Sequence, residues 1–265
     1  MLWHDGNRFE LQLDSRSCGS ILAFDMLKAI TFDLWTTIVE PIDYRESRIE
    51  YIRLILESNG YSIDLEAMRS AYSFSLQRFY DVWQNEQRHM PSAMRLGLML
   101  SELSIELSEE NFNRVVKYCE EVVLQTPPPL IPGAEMVLDS LHDSYKIGLI
   151  CDSGMSPGRV MRQVLTRYHL LPYFCATVFS DELGRTKPHL RMFETTLKQL
   201  GVEAHEALHI GDLLNTDVAG AKAAGMKTVW FNRDRTQINE ASVIPDYEIA
   251  RLSEVLEIIA QERGA

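Results

Sequence analysis

The first apolar run that reads as a buried strand covers residues 27–34 (LKAITFDL), with Ile30, Thr31 and Phe32 at its centre. After Pro41 the period of the apolar positions lengthens from that of a strand to that of a helix. Asp43 is placed to cap a helix carrying Ile49, Ile52 and Leu56 that stops at Asn59-Gly60. Asp64 is placed to cap a second, in which Leu65, Met68, Tyr72, Leu76, Phe79 and Trp83 fall at helical spacing. Pro91 opens a third, and Ser108 caps a fourth with Phe112, Val115, Cys119 and Val122. Pro127-Pro128-Pro129 then breaks the pattern.

Beyond that break, strands and helices alternate. Strands are predicted at residues 146–151, 177–180, 207–210 and 227–231. Pro157 and Pro188 open helices between them, an Ala-rich helix ends at Gly225, and residues 249–259 form a last helical region. Strictly alternating elements argue for a parallel, doubly wound (Rossmann-like) sheet, because parallel strands need crossover helices. The expected organisation is therefore an α/β core of residues 26–40 and 128–265, split by an all-α insertion at 41–127. An insertion after the first strand stands at the carboxyl end of the sheet, where such folds bind ligands, and can serve as a lid. Residues 1–25 are polar, lack the basic-then-apolar order of a signal peptide, and are expected to be a poorly ordered extension.

Composition narrows the function classes. The chain has 265 residues, 46% hydrophobic and 24% charged, enough for a sizeable core. Its 38 acidic against 26 basic residues give a formal net charge of −12, which disfavours nucleic acid and anionic membranes as partners. An anionic substrate would need local positive charge from a metal, a lysine or helix N-termini. Cys18, Cys119, Cys151 and Cys175 are widely spaced and suggest neither a zinc site nor a disulfide framework. No segment is apolar enough to span a bilayer, and a cytoplasmic location is expected.

Four segments carry candidate chemistry, each at the carboxyl end of a predicted strand. Asp33, followed by Leu34-Trp35-Thr36-Thr37, can present its carboxylate at the sheet edge as nucleophile or metal ligand; a turn-forming Asp is the plainer alternative. Cys151-Asp152-Ser153-Gly154 offers small polar groups and backbone N–H groups before a helix, as an anion cradle or as a plain loop. Lys187 precedes Pro188 at a helix start and can neutralise a carboxylate or phosphate. Gly211-Asp212, with Asp217 five residues on, can hold a hard cation, although Asp217 could equally cap the helix that follows. Arg78, Arg88, His89 and Arg95 in the helical insertion read as ordinary surface charges, with anion contacts the alternative.

Taken together, the order and spacing of these segments resemble the haloacid dehalogenase (HAD) superfamily, over about residues 26–257, with the insertion matching the family's helical cap. The resemblance implies Asp33 as a nucleophile forming a covalent intermediate. It also implies Mg²⁺ held by Asp33, the Trp35 carbonyl, Asp212 and Asp217, and Lys187 beside them; Cys151, Asp152 and Ser153 would receive the transferred group. Its implied activity is hydrolysis of a small phosphorylated metabolite by a monomer or homodimer. Two departures matter. Trp35 stands where family phosphatases carry a second Asp that protonates the leaving group, and Cys151 stands where Ser or Thr is usual. Trp35 leaves open a 2-haloacid dehalogenase-like hydrolase or a catalytically degenerate binding protein. Asp212 favours the metal-dependent phosphatase, since it would otherwise crowd Asp33 with like charge.

Overall fold

The computed structural model describes residues 27–237 and 243–264, and the extension expected at 1–25, with Cys18, lies outside them. At its centre is β1 (Ala29–Phe32), every residue of which is buried. It pairs in parallel with β2 (Lys146–Cys151) on one side and β4 (Ala207–Gly211) on the other. With β3 (Phe174–Phe179), β5 (Lys227–Phe231) and β6 (Tyr247–Ile249) they form one sheet in the order β3-β2-β1-β4-β5-β6. The chain winds outward from β1 through β2 to β3, then crosses back to β4. The topological switch therefore lies between β1 and β4, the place where doubly wound sheets open a ligand crevice beyond the strand ends.

Four helices follow β1 before the chain returns to the sheet at Pro129: α1 (Arg45–Ser58), α2 (Leu65–Asp81), α3 (Ser92–Glu102) and α4 (Glu109–Glu121). Asp64 caps α2 by accepting from the amides of Glu66 and Ala67, and Ser108 caps α4. Asp43 lies one residue before the capping position of α1, yet its carboxylate still accepts from the Arg45 amide at 2.9 Å. The four helices bury an apolar cluster of their own, built on Ile49, Ile52, Leu56, Met68, Leu96 and Val115 and separate from the one under the sheet. Burying a side chain of that size contributes about 1.5–3 kcal/mol, so the layer sustains its own packing. The chain leaves the sheet and returns side by side: Glu40 N donates to Pro129 O at 2.8 Å, and Ile131 N donates to Ile38 O at 2.9 Å.

The remaining helices are α5 (Ala134–Leu141), α6 (Gly158–Arg167), α7 (Ser180–Leu183), α8 (Leu190–Leu200), α9 (Ala219–Ala223) and α10 (Val255–Gly264). Two expectations are corrected. The last helical region does not begin at residue 249: residues 247–249 form β6, and α10 starts at Val255 after a short 3₁₀ turn. β6 is a three-residue edge strand containing Glu248, too short and too polar to show a period of two. β3 begins at Phe174 instead of 177, because an edge strand leaves residues such as Cys175 exposed and blurs its start.

Candidate active site

The carboxyl ends of β1 and β4 bring Asp33, Asp212 and Asp217 together, although 179 and 184 residues separate Asp33 from the other two (212 − 33 and 217 − 33). One carboxylate oxygen from each lies within 4.8 Å of the others. Asp33 continues β1 by donating its amide to Ile210 O at 2.9 Å, which fixes it at the switch point. Asp217 reaches the cluster because Gly211 has no side chain: a Cβ there would stand 2.3 Å from the Asp217 carboxyl carbon. Asp217 does not cap a helix. Its Oδ2 accepts from Leu213 N at 3.1 Å, while its Oδ1 takes Lys187 Nζ at 2.6 Å.

Lys187 is 3% exposed and is shared between Asp217 and Asp33. Its own amide donates to Asp152 Oδ1 at 3.0 Å, and the preceding Thr186 N donates to Gln87 O at 3.1 Å. The lysine loop is thus held from below by β2's loop and from above by the helical layer. A buried chain runs beneath the cluster, with His209 Nε2 3.2 Å from Asp217 Oδ1 and Nδ1 2.9 Å from Thr31 Oγ1.

Charge in this site follows from burial and crowding. Burial pushes the Asp33 carboxyl well above the usual carboxylate range; Lys187 opposes this, and Asp217 and Asp212 add to it. Burial, then Asp217, push Asp212 up to about 7. Burial also works against charge on Asp217, but Lys187 and His209 outweigh it and hold that carboxyl below its ordinary value. For Lys187, burial favours the neutral amine, but Asp217 and Asp33 outweigh it and keep it charged. Asp217 and Lys187 therefore form the settled ion pair, and Asp33 and Asp212 remain short of positive charge. Three hard oxygen donors at this spacing, two of them resisting ionisation, suit a divalent cation of the Mg²⁺ type.

The Cys151-Asp152-Ser153 segment divides. Cys151 is fully buried in the cluster under the sheet, and burial followed by the Asp33 charge pushes its thiol far up, so it stays a neutral, weak donor. Asp152, with its carboxyl pushed up to about 6 by burial, spends both oxygens on protein donors: Oδ1 on the Lys187 amide and Oδ2 on Trp83 Nε1 at 2.8 Å. Ser153 donates to Asp181 through its hydroxyl and to Ser180 Oγ through its amide at 2.9 Å. Trp35 is partly buried against the sheet cluster and lines a cavity of about 460 Å³ between the helical layer and the sheet, together with Asp152, Ser153, Tyr72, Phe79 and Arg95.

Sequence reasoning missed His209 and Trp83, and offered Arg95 only with an anion contact as the alternative to a surface charge. His209 sits in a strand interior, where nothing in the sequence separates it from packing. Helical spacing predicts Trp83 on the packing face of the second helix. It falls instead in a π-helical turn (Val82–Glu86) that interrupts the regular face and turns the indole toward Asp152. Arg95, expected as an ordinary surface charge with an anion contact as the alternative, is 4% exposed. Its signal was present: Ser92, Arg95, Leu96 and Met99 share the buried stripe of α3.

Known proteins match this arrangement. The hydrolase family described as haloacid dehalogenase-like hydrolase matches residues 27–225. A glyceraldehyde 3-phosphate phosphatase of Pyrococcus abyssi is 32% identical over 246 residues, covering 91% of this chain and 97% of its own. Two solved structures share the fold. A 2-haloacid dehalogenase of Pseudomonas syringae superposes with a TM-score of 0.65 at 23% identity, covering 89% and 99% of the two chains. YfnB of Bacillus subtilis, bound to magnesium, gives 0.62 at 22% identity over 89% and 99%. Among the described residues, no helix is long and apolar enough to cross a membrane. With the sheet order, the clustered carboxylates and these matches in agreement, the chain belongs to the haloacid dehalogenase-like hydrolases.

Proposed function

We propose that this protein is a Mg²⁺-dependent phosphatase acting on a small phosphorylated metabolite through a covalent intermediate on Asp33. The observation that carries the reading is the convergence of Asp33, Asp212 and Asp217 around Lys187 at the sheet's switch point. The name of the Pyrococcus abyssi relative supports the phosphatase class. Asp33, Asp212 and Asp217 would hold the cation, with the Trp35 carbonyl as a fourth donor; when bound, it supplies charge that offsets repulsion between a carboxylate and an anionic phosphoryl group.

The chain's own residues do the rest. Asp33 attacks phosphorus, the ester oxygen departs, and an aspartyl phosphate forms; water then cleaves the acyl phosphate and restores the carboxylate. Lys187 holds the Asp33 carboxylate and faces the transferred oxygens with positive charge. Residues 41–127 act as a cap, excluding water from the cleft and supplying the cavity wall that faces the leaving group. Trp35 has no proton to give, so the reading favours substrates with good leaving groups.

The experiment is turnover of p-nitrophenyl phosphate by wild type and Asp33→Asn, with Mg²⁺ or EDTA. Asp33→Asn is expected to lower kcat at least about 10³-fold with an unchanged circular dichroism spectrum, and EDTA to abolish wild-type activity. Wild-type rates for Asp33→Asn would refute the mechanism. Halide release from chloroacetate that survives EDTA would favour the dehalogenase reading instead.

A further inference from the structure

The acidic cluster accounts for one end of a substrate, and the cavity beside it has unused chemistry at the other. Trp35, two residues beyond Asp33, and Asp152, which holds the Lys187 amide, form part of its wall, while Asp212 and Lys187 line two further hollows that share Pro41 and Trp83 with it. On the helical side stands Arg95, 4% exposed. Its guanidinium lies over the ring of Phe79, 5.0 Å from the centroid, and over Tyr72 at 5.9 Å. Nε and Nη2 are both buried and have no hydrogen-bond partner among the described residues. These two nitrogens form one edge of the guanidinium, the edge that grips a carboxylate or phosphate with two parallel hydrogen bonds.

Leaving such a group unpaired costs far more than leaving it in water. Burial lowers the pKa of Arg95, and no carboxylate is within ion-pair distance of it among the described residues. The other charges around the cavity do not serve it. Asp152 is occupied by Trp83 and the Lys187 amide; Asp43 lies at the rim beside Arg45, and Arg48 donates Nε to Cys119 O at 3.0 Å. A buried guanidinium edge without partners, on a side chain that lines the cavity beside two aromatic rings, is suited to receive an anion.

We infer that Arg95 is a specificity-determining residue that grips a second anionic group, a carboxylate or a second phosphate, at the end of the substrate remote from the phosphoryl group. The inference rests on the phosphatase reading and narrows its substrate to compact phosphate esters bearing another anion. It also explains how a protein of net charge −12 admits such molecules: the cavity is positive where the surface is not.

The test compares kcat/KM for 3-phosphoglycerate, propane-1,3-diol bisphosphate and glycerol 3-phosphate, which has a neutral end, in wild type, Arg95→Met and Arg95→Lys. Wild type is expected to prefer a compound with an anionic remote end over glycerol 3-phosphate; the carboxylate and bisphosphate arms say which anion is read. Arg95→Met is expected to reduce that preference by about 10- to 100-fold, and Arg95→Lys by less, since lysine keeps the charge but not the paired hydrogen bonds. Because the readout is a ratio, partial misfolding of a variant cancels. An unchanged ratio in Arg95→Met, or no wild-type preference, would overturn the inference while leaving the phosphatase reading standing. Calorimetric binding of 3-phosphoglycerate to Asp33→Asn, alone and combined with Arg95→Met, separates the two: a 10- to 100-fold weakening with no turnover of any of the three esters would sink only the phosphatase reading.

Discussion

Asp212→Asn separates the energetic cost of the acidic cluster from its use. In the metal-free protein, burial and Asp217 raise the Asp212 carboxyl from 3.8 to about 7. An acid whose folded pKa lies above its unfolded value binds a proton in the folded state that the unfolded chain has already released. Stability therefore falls as pH rises from about 4 to about 7, and the full cost is present above 7. At 1.36 kcal/mol per pH unit the rise corresponds to about 4 kcal/mol, an upper bound. Solvent reaches part of the side chain and screens its charge, so the cost at pH 8 is about 1–2 kcal/mol. Asparagine removes the charge and keeps the shape. In EDTA at pH 8, Asp212→Asn is expected to melt about 2–8 °C above wild type by scanning calorimetry. With saturating Mg²⁺ the order should reverse, because wild type gains about 2.7 kcal/mol at a hundredfold excess over Kd and the variant loses most of that gain. A variant no more stable than wild type in EDTA, or one that gains equally from Mg²⁺, would refute the argument.

Two other substitutions test how the site is held together. Gly211→Ala sets a Cβ 2.3 Å from the Asp217 carboxyl carbon and is expected to displace Asp217, lowering both stability and Mg²⁺ affinity as measured by melting and titration calorimetry; a folded variant with unchanged affinity would contradict the close approach. Trp83→Phe removes a donor from the buried Asp152 carboxylate, so the urea midpoint should fall by an amount worth about 1–3 kcal/mol, with kcat falling too because Asp152 also holds the Lys187 amide. An unchanged midpoint would show that the indole adds nothing to Asp152.

What the sequence disclosed and what it withheld divide along a physical line. Asp33, Lys187, Asp212 and Asp217 were legible because each follows a short apolar strand, and a polar residue at that point of a parallel sheet lands on one edge of the fold. The sheet itself was legible for the same reason: strands buried on both faces stand out as apolar runs, as KIGLIC does at β2. Contacts that depend on distant chain meeting distant chain were not legible. The Thr31–His209–Asp217 line joins residues 178 and 8 positions apart, and its histidine occupies an ordinary strand position. Trp83 could be placed only once the π-helical turn had broken the period of α2.

The division of charge between the two parts of the molecule argues for their division of labour. The sheet side contributes three clustered carboxylates, only two of which touch its lysine, an arrangement that gains from added positive charge. Above it, Arg45, Arg48 and Arg95 line the cavity from the helical layer, an arrangement that gains from added negative charge. On the proposed function, a phosphate ester carrying a cation at one end and an anion at the other would satisfy both. The Trp83–Asp152 hydrogen bond joins the halves at the point where the Lys187 amide is also held, so the cavity wall is tied to the lysine loop.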